Sequence, residues 1–206
     1  MRTIKAQHRL CVICEGSEEF QYLKRLKELG VWSDIYSIKL INVGSIDNIA
    51  PRYQYEFSQI GYDLIFVFCD TETAPYEQFK RMKEKIDNLY QKGKASDKLV
   101  IFANPCTMQI VLSHFEKVRL RTNRKSANGR LIERLTGIAE YRAKARQLDA
   151  ISKLLTKENY DEMKENLSDT ATELEIVPST NFLQFVERLE SNDAKWVNKA
   201  KRGYGV

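Results

Sequence analysis

Long apolar runs are missing from this chain. Nowhere in its 206 residues does an apolar stretch approach the ~20 residues that a membrane-spanning helix requires, so no membrane association is expected. The start, Met1-Arg2-Thr3-Ile4-Lys5, is not followed by the apolar core and small-residue cleavage site of a secretory signal, and a cytoplasmic location is expected. Cysteine is scarce, four residues in all, too few at this length to suggest a disulfide scaffold. Cys11 and Cys14 have CxxC spacing, but no second CxxC and no nearby histidine pair completes a zinc site. Residues three apart on a strand point to opposite faces, so reduced core thiols are the better reading. Cys69 and Cys106 read the same way. Neither GxGxxG nor GxxxxGK[ST] occurs, which disfavours a plain nucleotide-binding α/β domain. Internal repeats and low-complexity tracts are absent too.

What is there suits a globular protein with a sizeable core: 43% hydrophobic and 30% charged residues. Two short apolar runs end in acids. Leu64-Ile65-Phe66-Val67-Phe68-Cys69 reads as a buried strand and runs into Asp70-Thr71-Glu72. Arg9-Leu10-Cys11-Val12-Ile13-Cys14 reads likewise and runs into Glu15-Gly16. Open α/β folds bind ligands outside the carboxyl ends of their strands. If these two strands are neighbours, Glu15, Asp70 and Glu72 converge there.

Along the chain, Ser17 caps a helix whose Phe20, Leu23, Leu26 and Leu29 share a face and which Gly30 ends. Glu18 and Glu19 are first-turn acids favoured by the helix dipole; Glu15 has no such explanation. Strands are predicted at 36–43 and 98–102, a helix within 45–60 limited by Pro51, and a longer helix at about 75–92. Strand and helix alternate through this half, the pattern of a mostly parallel sheet. After Pro105 comes a short apolar helix, Thr107 to Phe115, then helical segments at about 130–156, 159–170 and 180–199 with no convincing strand. Residues 199–206 read as a tail. The expectation is a 1–105 α/β domain with a 106–206 helical extension packed on it.

Net charge is only +5, but between Lys117 and Lys153 eleven basic residues face three acids, and the rest of the chain is net negative. Such a block is either a solvated helix face or a surface for a phosphate-bearing partner. Arg119, Arg121, Arg124, Lys125 and Arg130 are the candidates for contacting a nucleic-acid backbone. Asn104 has two readings, a turn residue before Pro105 or an amide that holds a carboxylate or phosphate. His114 is a candidate proton donor, or a satisfied structural histidine.

Two carboxylates at i and i+2 past a strand end, with a third from a neighbouring strand, make a hard oxygen site. Mg²⁺ or Mn²⁺ prefers such ligands. Like charges a few ångströms apart repel by several kcal/mol near a protein surface (roughly, at an intermediate dielectric), and a bound cation offsets that. Asp-x-Glu after an apolar run also occurs simply as a helix cap.

Val12-Ile13-Cys14-Glu15-Gly16-Ser17-Glu18-Glu19-Phe20 and Phe66-Val67-Phe68-Cys69-Asp70-Thr71-Glu72 resemble the two acidic motifs of TOPRIM domains. Ala103-Asn104-Pro105-Cys106, followed by Leu112-Ser113-His114-Phe115-Glu116, looks like a third signature of the RloB-like family, prokaryotic TOPRIM proteins of abortive-infection and antiphage systems. The resemblance covers the whole chain. It implies a TOPRIM-like fold, with a mostly parallel four-stranded sheet flanked by helices and a helical C-terminal extension. It implies a Mg²⁺-dependent nuclease, a hydrolase of DNA or RNA, in which Glu15 is ligand or general base while Asp70 and Glu72 hold the metal. Glu19, Asn104 and His114 would be accessory. An ATPase partner is implied because relatives are often encoded beside one. Two departures stand out: Glu72 replaces the usual second aspartate, and Thr107-Met108-Gln109-Ile110 lacks an acid that relatives often carry. These favour an alternative, a non-catalytic TOPRIM module that senses a nucleotide or a partner protein.

Overall fold

The structure is a computed structural model that describes residues 8–59, 61–71 and 74–204. Four strands run parallel: β1 (His8–Cys14), β2 (Tyr36–Asn42), β3 (Leu64–Asp70) and β4 (Val100–Asn104). A fifth, β5 (Ser179–Thr180), lies antiparallel to β4, giving the order β2-β1-β3-β4-β5. Among the described residues the sheet therefore has five strands rather than the expected four, and the C-terminal half supplies one. Only two residues long, β5 has no periodicity to read. Side chains hold it instead: Thr180 Oγ1 donates to the Phe102 carbonyl at 2.6 Å, and the Asn181 amide both accepts from Phe102 N–H and donates to the Val100 carbonyl.

Ten helices flank the sheet among the described residues. Three connect the parallel strands: α1 (Ser17–Leu29), α2 (Ile49–Ser58) and α3 (Glu77–Asp87), the last followed by the short α4 (Ser96–Leu99). Six follow β4: α5 (Met108–Leu112), α6 (Lys125–Thr136), α7 (Ala145–Leu154), α8 (Lys157–Leu167), α9 (Phe182–Glu190) and α10 (Lys195–Tyr204). Some boundaries differ from those predicted. Lys98 and Leu99 belong to α4, not to β4. The segment read as one helix over 130–156 breaks where Gly137 takes a left-handed φ of 71°. The expected tail is α10 as far as Tyr204, held by a Lys201–Asp63 ion pair of 2.9 Å and by Tyr204 packing on Tyr90. No helix of the described residues is long and apolar enough to cross a membrane.

Strand alternation divides the core in two. Leu10, Val12, Cys14, Phe66 and Phe68 point to one face, against Leu23 and Leu26 of α1 and Phe182, Phe185 and Val186 of α9. Cys11, Ile13, Ile65, Val67 and Phe102 point to the other, against Ile49 and Tyr53 of α2 and Phe79, Met82 and Ile86 of α3. Cys11 and Cys14 are thus on opposite faces, and burial raises both thiols, Cys11 to about 12. The first core is continuous from β1 and β3 to Ile132, Leu148 and Met163, so residues on both sides of position 105 share it.

The topology singles out one place. From β1 the chain moves to β2 through α1 on one face. From β2 it passes beyond β1 to β3, and on to β4, through α2 and α3 on the other face. Direction reverses between β1 and β3, and the carboxyl ends at such a switch point leave a crevice where ligands bind.

Candidate active site

Both acid-ended strands terminate at that crevice. Cys14 is in register with Phe68, and Glu15 N–H donates to the Phe68 carbonyl at 3.0 Å, continuing the ladder one residue past β1. The Glu15 side chain then turns to β3, where its Oε2 accepts from Asp70 N–H at 3.0 Å. Glu15 and Asp70 are thereby brought together. Both are partly buried, unlike Cys14 and Cys69 immediately before them.

Alternation puts the Asp70 side chain on the α1 face, where it meets the turn after β4. Thr107 holds it twice: its backbone N–H donates to Asp70 Oδ1 at 2.7 Å, and its hydroxyl lies 2.8 Å from the same oxygen. The same hydroxyl is 2.7 Å from Oε1 of Glu19. Glu19 is buried, and its other oxygen accepts from Gly16 N–H at 2.9 Å, the backward half of a capping box. Gly16 leaves room for this, since a Cβ there would stand 3.2 Å from Glu19 Oε2.

The electrostatics follow from this crowding. Burial first, then the charges of Glu19 and Glu15, push the Asp70 carboxyl well above the usual carboxylate range, against the opposing Thr107 bond. Glu19 is raised too, chiefly by burial, with the Thr107 and Gly16 bonds opposing. The Thr107 hydroxyl has one hydrogen and two carboxyl neighbours. It satisfies both when one of those carboxyls carries a proton, which agrees with the raised affinities.

The donor set suits a hard cation in kind, being carboxylate oxygens at a crevice. In number it is short: among the described residues no three acidic, histidine or cysteine side chains are grouped closely enough to hold a metal. Glu72, the third expected ligand, lies outside the described residues. Next to Asp70, the Thr71 hydroxyl is buried with no hydrogen-bond partner among the described residues.

The other candidates are placed as follows. Asn104 lies on the opposite face of β4 from the Thr107–Asp70 contact, and its amide donates to the Leu174 and Ile176 carbonyls at 2.8 and 3.2 Å, pinning the segment before β5. His114 is buried, accepts at Nε2 from the Tyr22 hydroxyl (2.9 Å) and donates from Nδ1 to Asn159 Oδ1 (3.1 Å). Burial holds it neutral, its pKa lowered to about 4. Arg119 pairs with Asp169 at 3.2 Å, whereas Arg121, Arg124 and Arg130 are exposed and enter no ion pair of the described residues. Lys125 reaches the site's edge: its Nζ is 2.6 Å from Glu18 Oε2, while the Tyr141 hydroxyl donates to Glu18 Oε1 at 2.6 Å. The start of α6 is therefore fastened to the first turn of α1, beside Glu15 and Glu19.

Thr107 is the residue that sequence reasoning missed. A hydroxyl in the turn after Asn104-Pro105 was its only signal, and nothing local ties it to an aspartate 37 positions earlier.

No family model matches the chain, and no curated protein matches it. Among solved structures, its fold is similar to that of the C-terminal region of the Burkholderia pseudomallei OLD protein. The TM-score is 0.51 at 12% identity, covering 77% of this chain and 95% of that one. At such identity the likeness concerns the fold alone.

Proposed function

We propose that this chain is a divalent-metal-dependent nuclease, or a close phosphoryl-transfer relative, of the TOPRIM and RloB-like type. The observation that carries the reading is the meeting of Glu15 and Asp70 at adjacent carboxyl ends of β1 and β3, with Asp70 loaded by neighbouring carboxyls. The fold likeness to the OLD protein region supports the arrangement of a parallel sheet with added helices on which the reading rests.

Glu15, Asp70 and Glu72 would hold Mg²⁺ or Mn²⁺. Bound there, the ion would supply Lewis-acid stabilisation of a phosphoryl oxygen and a more acidic water. The protein's own part is positional. Thr107 holds Asp70 Oδ1 and leaves Oδ2 outside the clamp, while the Asp70 N–H keeps Glu15 turned toward β3. The Lys125–Glu18 contact sets the basic start of α6 beside the crevice, where Arg121, Arg124 and Arg130 would take the backbone of DNA or RNA. As an antiphage effector the chain would work in the cytoplasm with an ATPase partner.

The test is incubation of purified protein with plasmid DNA and with total RNA, each with Mg²⁺, Mn²⁺ or EDTA. Metal-dependent cleavage that disappears in Asp70→Asn and Glu15→Gln is the expected result. A second reading, a non-catalytic module, draws on a specific observation: the described acids form no three-ligand group, and Thr107 already engages both Glu19 and Asp70. Absence of cleavage together with absence of Asp70-dependent Mn²⁺ binding by calorimetry would transfer the case to that module.

A further inference from the structure

At the opposite end of the sheet, α10 builds a second concavity. Trp196, Ala200, Gly203 and Tyr204 follow at i, i+4, i+7 and i+8, so they share one helix stripe. Two small residues between two large aromatic ones leave a hollow. The resulting cavity, of about 400 Å³, is completed by Lys98, Arg188 and Lys199. That volume is within the range of small-ligand sites, roughly 300–1,000 Å³.

Its location is distinct from the acidic crevice. Lys98 lies in α4, two residues before β4, Lys201 of α10 pairs with Asp63 just before β3, and Trp196 Nε1 donates to the hydroxyl of Tyr36, the first residue of β2, at 2.7 Å. The helix thus crosses the amino ends of the strands, while Glu15 and Asp70 stand at their carboxyl ends, about 20 Å away along a seven-residue strand.

The chemistry of the lining is specific. Three cations converge on one hollow, yet no ion pair of the described residues involves Lys98, Arg188 or Lys199. Asp97, the acid adjoining Lys98, is taken by Lys83 at 2.7 Å. Arg188 lies over the Trp196 ring, 5.9 Å from its centroid. Unneutralised cations beside aromatic rings match a ligand that is planar at one end and anionic at the other. Stacking on aromatic side chains recognises bases, and Lys and Arg recognise phosphates.

We propose that this cavity binds a nucleobase carrying phosphate, either a free nucleotide or one unpaired residue of a nucleic acid. It would do so separately from the acidic crevice, as a sensing or anchoring site.

The test measures binding to the full chain in EDTA, so that metal at the crevice plays no part. The probes are ATP, AMP, adenosine, a single-stranded ten-nucleotide DNA and inorganic tripolyphosphate. ATP or the oligonucleotide should bind saturably. Lys98→Glu with Lys199→Glu should weaken that binding at least tenfold, and so should Gly203→Leu. Gly203 lines the cavity and a Cβ there meets nothing within 4 Å, so a leucine is accommodated at its wall without a clash. Asp70→Asn should leave binding unchanged, which separates this site from the crevice. Competition by AMP as well as ATP identifies a free nucleotide as the source; preference for the oligonucleotide identifies a nucleic acid. The proposal is overturned if nothing binds, if tripolyphosphate competes as well as ATP, or if binding ignores both cavity variants.

Discussion

Thr107 grips one oxygen of Asp70 with two groups, its backbone N–H at 2.7 Å and its hydroxyl at 2.8 Å. Because the hydroxyl also touches Glu19, the two carboxyls share one small donor in a space where both cannot comfortably be charged. In metal-free protein this makes Asp70 a liability at neutral pH. Its folded pKa is raised above the unfolded value of about 3.9. The folded state therefore binds the proton more tightly, and the stabilisation this gives is complete below the unfolded pKa and lost as pH rises through the folded one. In EDTA, thermal stability should fall as pH rises above about 4, and Asp70→Asn should flatten that fall and melt higher at pH 7. An Asp70→Asn variant that melts lower than the native chain at pH 7 would contradict the crowded-carboxyl account.

His114 should act with the opposite sign. Its folded pKa, lowered to about 4, is below the unfolded value of roughly 6.5, so its contribution is present above pH 6.5 and lost as pH falls toward 4. That difference corresponds to about 3 kcal/mol at full protonation. In an NMR titration its ring should keep the Nδ1–H tautomer down to about pH 4.5, and His114→Gln should lessen the acid destabilisation. A ring titrating near 6.5 would place His114 in solvent and reopen it as a proton donor.

Much of this site could be read from the chain because both strands are short apolar runs broken by an acid. Burial on two faces leaves β1 and β3 no polar alternation, so Glu15 and Asp70 announce where each strand ends. Glu19 was legible as a first-turn acid, but its burial was not, since that depends on Thr107 arriving from 88 positions away. The same limit hid β5, whose pairing rests on the Asn181 side chain and not on strand propensity. Residues 199–204, the second half of α10, read as a tail. Its fixed place comes from long-range partners, Asp63, Tyr36 and Tyr90, that no local pattern records.

The five basic candidates should not contribute equally to nucleic-acid binding. Arg121, Arg124 and Arg130 enter no ion pair among the described residues, whereas Arg119 is tied to Asp169 and Lys125 to Glu18. Replacing the first three with alanine should weaken binding across sequences and reduce the slope of log affinity against log salt by about 0.9 per lost duplex-phosphate contact. Arg119→Ala should change both much less. Equal effects from Arg119 and Arg124 would mean that the ion pairs are not kept when nucleic acid binds.

The last prediction concerns whether the α/β half can stand without the helices that follow it. In a chain cut after residue 105, β1 and β3 would lose the cover that α9 gives Phe66 and Phe68: the ring of Phe182 packs on Phe68 at 5.3 Å and that of Phe185 on Phe66 at 5.3 Å. Each large apolar side chain returned to water costs roughly 1.5–3 kcal/mol, so exposing these two would cost about 3–6 kcal/mol, a large share of the stability of an ordinary domain. The truncated chain should show no cooperative thermal transition. In the full chain, Phe182→Ala should lower stability by about 3–5 kcal/mol in urea while keeping a single transition. Should the 1–105 fragment melt cooperatively, or Phe182→Ala split unfolding into two steps, the helices would be an appended domain and not one wall of a shared core.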